Sequence, residues 1–193
     1  GVAESTGSAL TYSTSGGTTF FNTGGATFDN DKTRYRLGAH WAWRGGPASL
    51  SFEWSRVDYG LVDVTGNALT QADDLEVNAF NVEATWVLTG EEKGWKTVVP
   101  DKFFNPHEGG WGAWELAFRY GYLNLQNNDY IRSHGVTGNG RVSEYTFGVN
   151  WYMNPHTRFR INYNHAVFSD DLGNNNEQTR DPDSLVIQYQ INF

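Results

Sequence analysis

The chain has 193 residues, 16% of them aromatic, with 22 Gly, 5 Pro, no Cys and a formal charge of -8. The lack of cysteine excludes a disulfide-stapled secreted module, the acidic balance excludes a basic nucleic-acid binder, and no apolar run approaches the roughly 20 residues of a helical membrane span. The aromatic load excludes intrinsic disorder, yet mean hydropathy is -0.57.

From the N-terminus, Gly1-Val2-Ala3 reads as the stub of a strand, and the polar residues that follow read as loop. The dominant signal then becomes a period of two, which puts alternate side chains on opposite faces of a strand. Residues 33–43 set Tyr35, Leu37, Ala39, Trp41 and Trp43 against Arg34, Arg36, Gly38, His40 and Ala42. After a tight turn at Gly45-Gly46-Pro47, residues 48–57 set Leu50, Phe52 and Trp54 against Ser49, Ser51, Glu53 and Ser55. A polar loop, 58–74, leads to a strand over 75–88, with Phe80, Val82, Ala84 and Trp86 opposite Asn81, Glu83 and Thr85. The connection 89–111 is long and carries Trp95, Val98-Val99-Pro100, Phe103-Phe104 and Trp111. Residues 112–125 alternate again, Trp114, Leu116, Phe118 and Tyr120 against Glu115, Ala117 and Arg119. A second loop covers 126–141. Strand 142–153 opposes Tyr145, Phe147, Val149 and Trp151 to Glu144, Thr146 and Asn150, and turns at Asn154-Pro155-His156. Strand 157–168 opposes Phe159, Ile161 and Tyr163 to Arg158, Arg160 and Asn162. A third loop, 169–183, precedes the last strand, 184–193, whose Leu185, Ile187, Tyr189, Ile191 and Phe193 share a face.

Seven strands of about ten residues, with short turns at one end and long polar loops at the other, predict an all-β transmembrane antiparallel up-and-down β-barrel of the bacterial outer membrane. The chain is then one domain, 1–193, with 89–111 as a long periplasmic turn. A soluble, carbohydrate-binding β-sandwich also alternates, but its strands are shorter. If the last strand ends in the periplasm, both tight turns are periplasmic and the long loops are external. Trp41, Trp43, Trp86, Trp114 and Trp151 then cluster near periplasmic strand ends, as an interfacial aromatic belt requires.

Nothing in the sequence has catalytic, cofactor or metal-ligand spacing. His107-Glu108 lacks a second histidine, and Gly16-Gly17 lacks the lysine of a phosphate loop. The Asp/Asn-rich loops are solvated Asx turns, with cation bridging to lipopolysaccharide as the competing reading. Alternation instead puts Arg34, Arg36, His40, Arg119, Arg158 and Arg160 inside a lumen with Glu53, Glu83, Glu115 and Glu144. Five arginines against four glutamates leave the wall near neutral in an acidic chain. The arginines suit stepping sites for an anion, because a planar, permanent charge matches phosphate or carboxylate. The alternative is a wall of Arg–Glu pairs, for which Glu115 and Arg119, four apart on one face, are well spaced. The 89–111 turn is expected to fold against the barrel mouth, narrowing it or docking a periplasmic partner.

Several segments resemble the phosphate-selective porins O and P. Residues 10–21, LTYSTSGGTTFF, resemble the loop before a family strand, which here carries Arg36-Leu37; Gly46-Pro47 to Phe52-Glu53 resembles the next turn and strand. Trp86-Val87-Leu88-Thr89-Gly90-Glu91 is close to the family's W-x-L-T-G-E, and Gly112-Ala113-Trp114-Glu115-Leu116-Ala117 with Arg119-Tyr120 to its G-A-W-E-L-A-x-R-Y. Gly148-Val149-Asn150-Trp151-Tyr152 before Asn154-Pro155 resembles its penultimate hairpin. The resemblance implies a 16-stranded homotrimeric porin for phosphate or other small solutes, of which this chain is the C-terminal half. The family's phosphate ligands lie largely outside that half, and none carries over. An odd strand count also points to a part of a larger barrel; the alternative is that residues 1–13 supply an eighth strand and close a small one. Tyr189, Ile191 and Phe193 resemble the signal read by the barrel-assembly machinery, a strand-pairing contact in physical terms. The competing function is a non-conducting, anchoring barrel subunit of an envelope complex, embedded in the same lipid and lipopolysaccharide.

Overall fold

A computed structural model of the chain describes residues 11–22, 35–59, 62–63, 70–71, 75–95, 97–126, 137–171 and 182–192. Each alternating segment forms a strand. In chain order the strands are β1 (Thr11–Ser13), β2 (Thr19–Asn22), β3 (Tyr35–Gly45), β4 (Ala48–Tyr59), β5 (Val62–Asp63), β6 (Thr70–Gln71), β7 (Leu75–Val87), β8 (Ala113–Gln126), β9 (Thr137–Asn154), β10 (Thr157–Asp171) and β11 (Asp183–Ile191). Strands β3, β4, β7, β8, β9, β10 and β11 make one antiparallel meander, each paired with the next. Sequential neighbours pair because tight turns and ladders hold them together with no crossover. Among the described residues, β3 and β11 each have one partner, so the meander is an open wall rather than a closed ring.

The two faces differ as the alternation demands. One carries large apolar side chains that stay exposed: Leu37 is 59% exposed, Trp86 55%, Phe147 55% and Ile187 59%. A β-sandwich would bury such a face against a second sheet about 10 Å away. Here the long strands make a single sheet, and the face is uncovered. Aromatic pairs tile it across strands, with Phe118 and Phe147 centroids 5.1 Å apart and Trp114 stacked on Trp151 at 5.2 Å.

Strand ends depart from the periodicity. β9 begins at Thr137, inside the expected loop, because its backbone has partners there: Asn139 pairs with Asp171 of β10, and Thr137 and Gly138 pair with Asn22 and Phe21 of β2. Available ladder partners, not side-chain alternation, set where such a strand stops. Loop 58–74 contains the small β5–β6 ladder. Of residues 1–13, the alternative eighth strand, 1–10 lie outside the described residues, and 11–13 pair with β2 as a hairpin.

That hairpin lies on the polar face. Toward the long-loop end this face turns apolar: Val57, Val77, Leu123, Leu125, Val142, Ala166 and Phe168 continue the inward parity of their strands. Phe20 and Phe21, 5% and 1% exposed, bury against this patch with Tyr12 beside them. The core of the molecule is therefore between hairpin and wall, and a second cluster, Val87, Val98, Ala113 and Tyr152, sits at the short-turn end.

Candidate functional site

The polar face between these two clusters is the chemically dense region. Glu115 is its centre of charge. β8 places it inward opposite Asn150 of β9, and its side chain is 0% exposed. A buried carboxylate is tolerated only when paired and hydrogen-bonded. Here Lys93 donates its ammonium to Oε1, while Tyr152 Oη donates to Oε2 at 2.7 Å and Asn150 Nδ2 at 2.9 Å. Lys93 comes from the 89–111 turn, so the carboxylate ties that turn to the wall.

The turn is built around this tie. Lys93 N donates to Gly46 O at 2.7 Å, and Arg44 Nη1 to Gly94 O at 2.8 Å, with the Arg44 guanidinium 4.2 Å from the Trp95 ring. Further along, Asn105 caps a single 3-10 turn, Pro106–Glu108, and Phe104 N donates to Met153 O at 2.8 Å. The segment thus reaches from the β3–β4 turn to the β9–β10 turn along the short-turn rim. Gly112 closes it at φ +69°, where a Cβ would run into the Tyr152 carbonyl, so backbone passes at a distance only glycine allows. Its two halves lie on opposite sides of the wall. Val98 packs with inward-facing Val87 and Tyr152, whereas Phe104 meets outward-facing Trp151 edge-on at 4.8 Å.

Above Glu115 stands a second cationic group. Arg160 Nε donates to Asn150 Oδ1 at 3.0 Å, and Arg158 Nη2 to Gln190 Oε1 at 2.5 Å, with its guanidinium 5.7 Å from the Tyr152 ring. Among the described residues neither has a carboxylate within ion-pair distance. With Lys93, Asn162 and Asn164 they line a concavity of about 380 Å³ in the wall. Arg119, Glu83 and Glu115 line it too, so this is a floor of amides and mixed charge in which the cations outnumber the carboxylates, suited to a hydrated anion.

The other expected wall residues fall as follows. Arg36, His40, Glu53 and Glu83 are on the polar face and exposed, with Asn81 Nδ2 donating to Glu53 at 3.3 Å. Arg34 lies outside the described residues. The expected Glu115–Arg119 pair does not form. Lys93 takes Glu115, and Arg119 approaches Glu144 at 3.7 Å. Register explains this: along one strand, residues four apart are separated by two pleats, roughly 13 Å, too far for an ion pair. Trp41, Trp43, Trp86, Trp114 and Trp151 all sit on the apolar face toward the short-turn rim, Trp86 opposite Ala48 and Trp114 opposite Trp151. Tyr189 and Ile191 are exposed on the same face of β11, and Phe193 lies outside the described residues.

Lys93, Arg44, Ser15, Asn150 and Tyr152 were not singled out by sequence reasoning. Parity alone marks Arg44, Asn150 and Tyr152 as inward. Lys93 and Ser15 lie in irregular segments, where alternation carries no signal.

A family profile, phosphate-selective porin O and P, matches residues 10–193. Porin O of Pseudomonas aeruginosa is 27% identical over 160 residues, which is 81% of this chain and 34% of that protein. The chain thus spans about a third of the length of the curated relative it matches.

Proposed function

The chain belongs to the phosphate-selective porin O and P family, and from that membership we propose that its meander is one side of an outer-membrane β-barrel that passes small hydrophilic anions by passive diffusion. The family supports an outer-membrane porin rather than an enzyme. The apolar face supports lipid contact, since no water competes for backbone groups there and every one must be satisfied by a ladder. The polar face is then the lumen, and the tight-turn rim is periplasmic. No bond is made or broken; the wall supplies a path of low barrier, attractive enough to enter and weak enough to leave.

The observation that carries the anion reading is the Arg158–Arg160 pair. Its hydrogen bonds go to the Gln190 and Asn150 amides, and among the described residues no carboxylate forms an ion pair with it. The 89–111 turn narrows the exit beside it. In planar bilayers under a KCl gradient, the full-length protein is expected to give an anion-selective reversal potential, and R158A/R160A to move it toward cations. A cation-selective wild type, or an unchanged potential in the double variant, would defeat the anion reading.

A further inference from the structure

We propose that Arg119 and Glu144 are positioning residues. They clamp the tip of the β1–β2 hairpin across the lumen and so fix the pore's aperture, rather than binding the solute. This rests on the pore reading above.

The hairpin tip is Ser15-Gly16-Gly17, closed by Gly17 N donating to Thr14 O at 2.9 Å. Glu144 accepts from Ser15 N at 3.0 Å and from Ser15 Oγ at 2.9 Å. Arg119 donates to the same Ser15 Oγ and lies 3.7 Å from the Glu144 carboxylate. Glu144 thus directs its carboxylate, and Arg119 one guanidinium nitrogen, at one tip residue. The Glu144 side chain is only 12% exposed, which limits a solute's access to it, whereas Arg119, at 38%, also borders the concavity lined by Arg158 and Arg160. On its far side the tip abuts β11, where a Cβ added at Gly16 would run into the Ser184 side chain. The tip therefore spans from β8 and β9 to β11. Phe20 and Phe21 secure the hairpin's base by apolar burial, and none of the tip residues Ser15, Gly16 and Gly17 belongs to that cluster. A charge-assisted clamp is the stronger kind of hydrogen bond for that purpose.

Three substitutions separate a clamp from a solute site. S15P leaves the wall untouched, puts proline at a turn position that accepts it, and removes both Ser15 donors. E144A removes the acceptor; E144Q removes the charge but keeps an acceptor. Single-channel conductance and polyethylene-glycol exclusion are measured on the full-length protein in planar bilayers. The clamp predicts that S15P and E144A raise conductance and admit polymers that wild type excludes, with E144Q shifted less than E144A. Assembly is checked by heat-modifiable gel migration. Correctly assembled S15P and E144A with wild-type conductance and cut-off would overturn the proposal. So would equal selectivity shifts in E144A and E144Q without any change in cut-off, which is the signature of a solute-facing charge. A wild type that conducts nothing would instead defeat the pore reading itself.

Discussion

A fully buried glutamate in a porin wall has one physical justification, which is that its partners are built in. Glu115 has three: Lys93, Asn150 and Tyr152. Removing one side of such a cluster strands the rest in a poorly solvated site, at a cost of about 3–5 kcal/mol. E115A should therefore free Lys93 and loosen the 89–111 turn while the ladders persist. Trypsin digestion of the folded, full-length protein is expected to cut this variant after Lys93 or Lys102 and spare the wild type. Equal resistance would mean that the backbone bonds to Gly46 and Met153 hold the turn without the ion pair. Arg158 and Arg160 contrast with this cluster. Their partners are neutral amides, which orient the guanidinium without neutralising it.

At the scale of elements, the meander presents an exposed apolar face, which the proposed outer-membrane placement sets against lipid. Phe118 lies on that face, paired across β8 and β9 with Phe147. A cation there would cost roughly 2–4 kcal/mol if it sits near the bilayer midplane. F118R should lower stability by that order in urea titration of the lipid-reconstituted protein, read by heat-modifiable migration. An unchanged midpoint would mean the face does not meet hydrocarbon. The seven wall strands were legible because each has one wet and one apolar face, so period two survives along their length. The hairpin was not legible: Thr11–Ser13 and Thr19–Asn22 are too short for alternation, and Phe20-Phe21 are adjacent residues that both bury. What places them is an apolar patch assembled from five other strands, which no local window contains. The same limit applies to the long turn. Its aromatic residues announced packing, but the Lys93–Glu115 tie depends on residues 22 apart meeting at the rim. The Arg119–Glu115 spacing misled because a four-residue interval brings side chains together on a helix and separates them on a strand.

At the scale of the whole molecule, the chain's -8 charge and its polar wall tell different stories. The acidic residues in 58–74 and 169–183 dominate the sum, while the inner wall gathers Lys93, Arg119, Arg158 and Arg160 around Glu115 and Glu144, which the structure ties down. A solute crossing the pore would meet that wall, narrowed by the hairpin toward one end and by the 89–111 turn at the other. Passage would then depend on size at the hairpin and on charge at Arg158 and Arg160. The most direct test is single-channel recording of the full-length protein, assembled and heat-modifiable, in a planar bilayer. Discrete, ohmic conductance steps are the expected result. Assembled protein that inserts into the bilayer yet gives no steps would contradict the account and leave an anchoring barrel in its place.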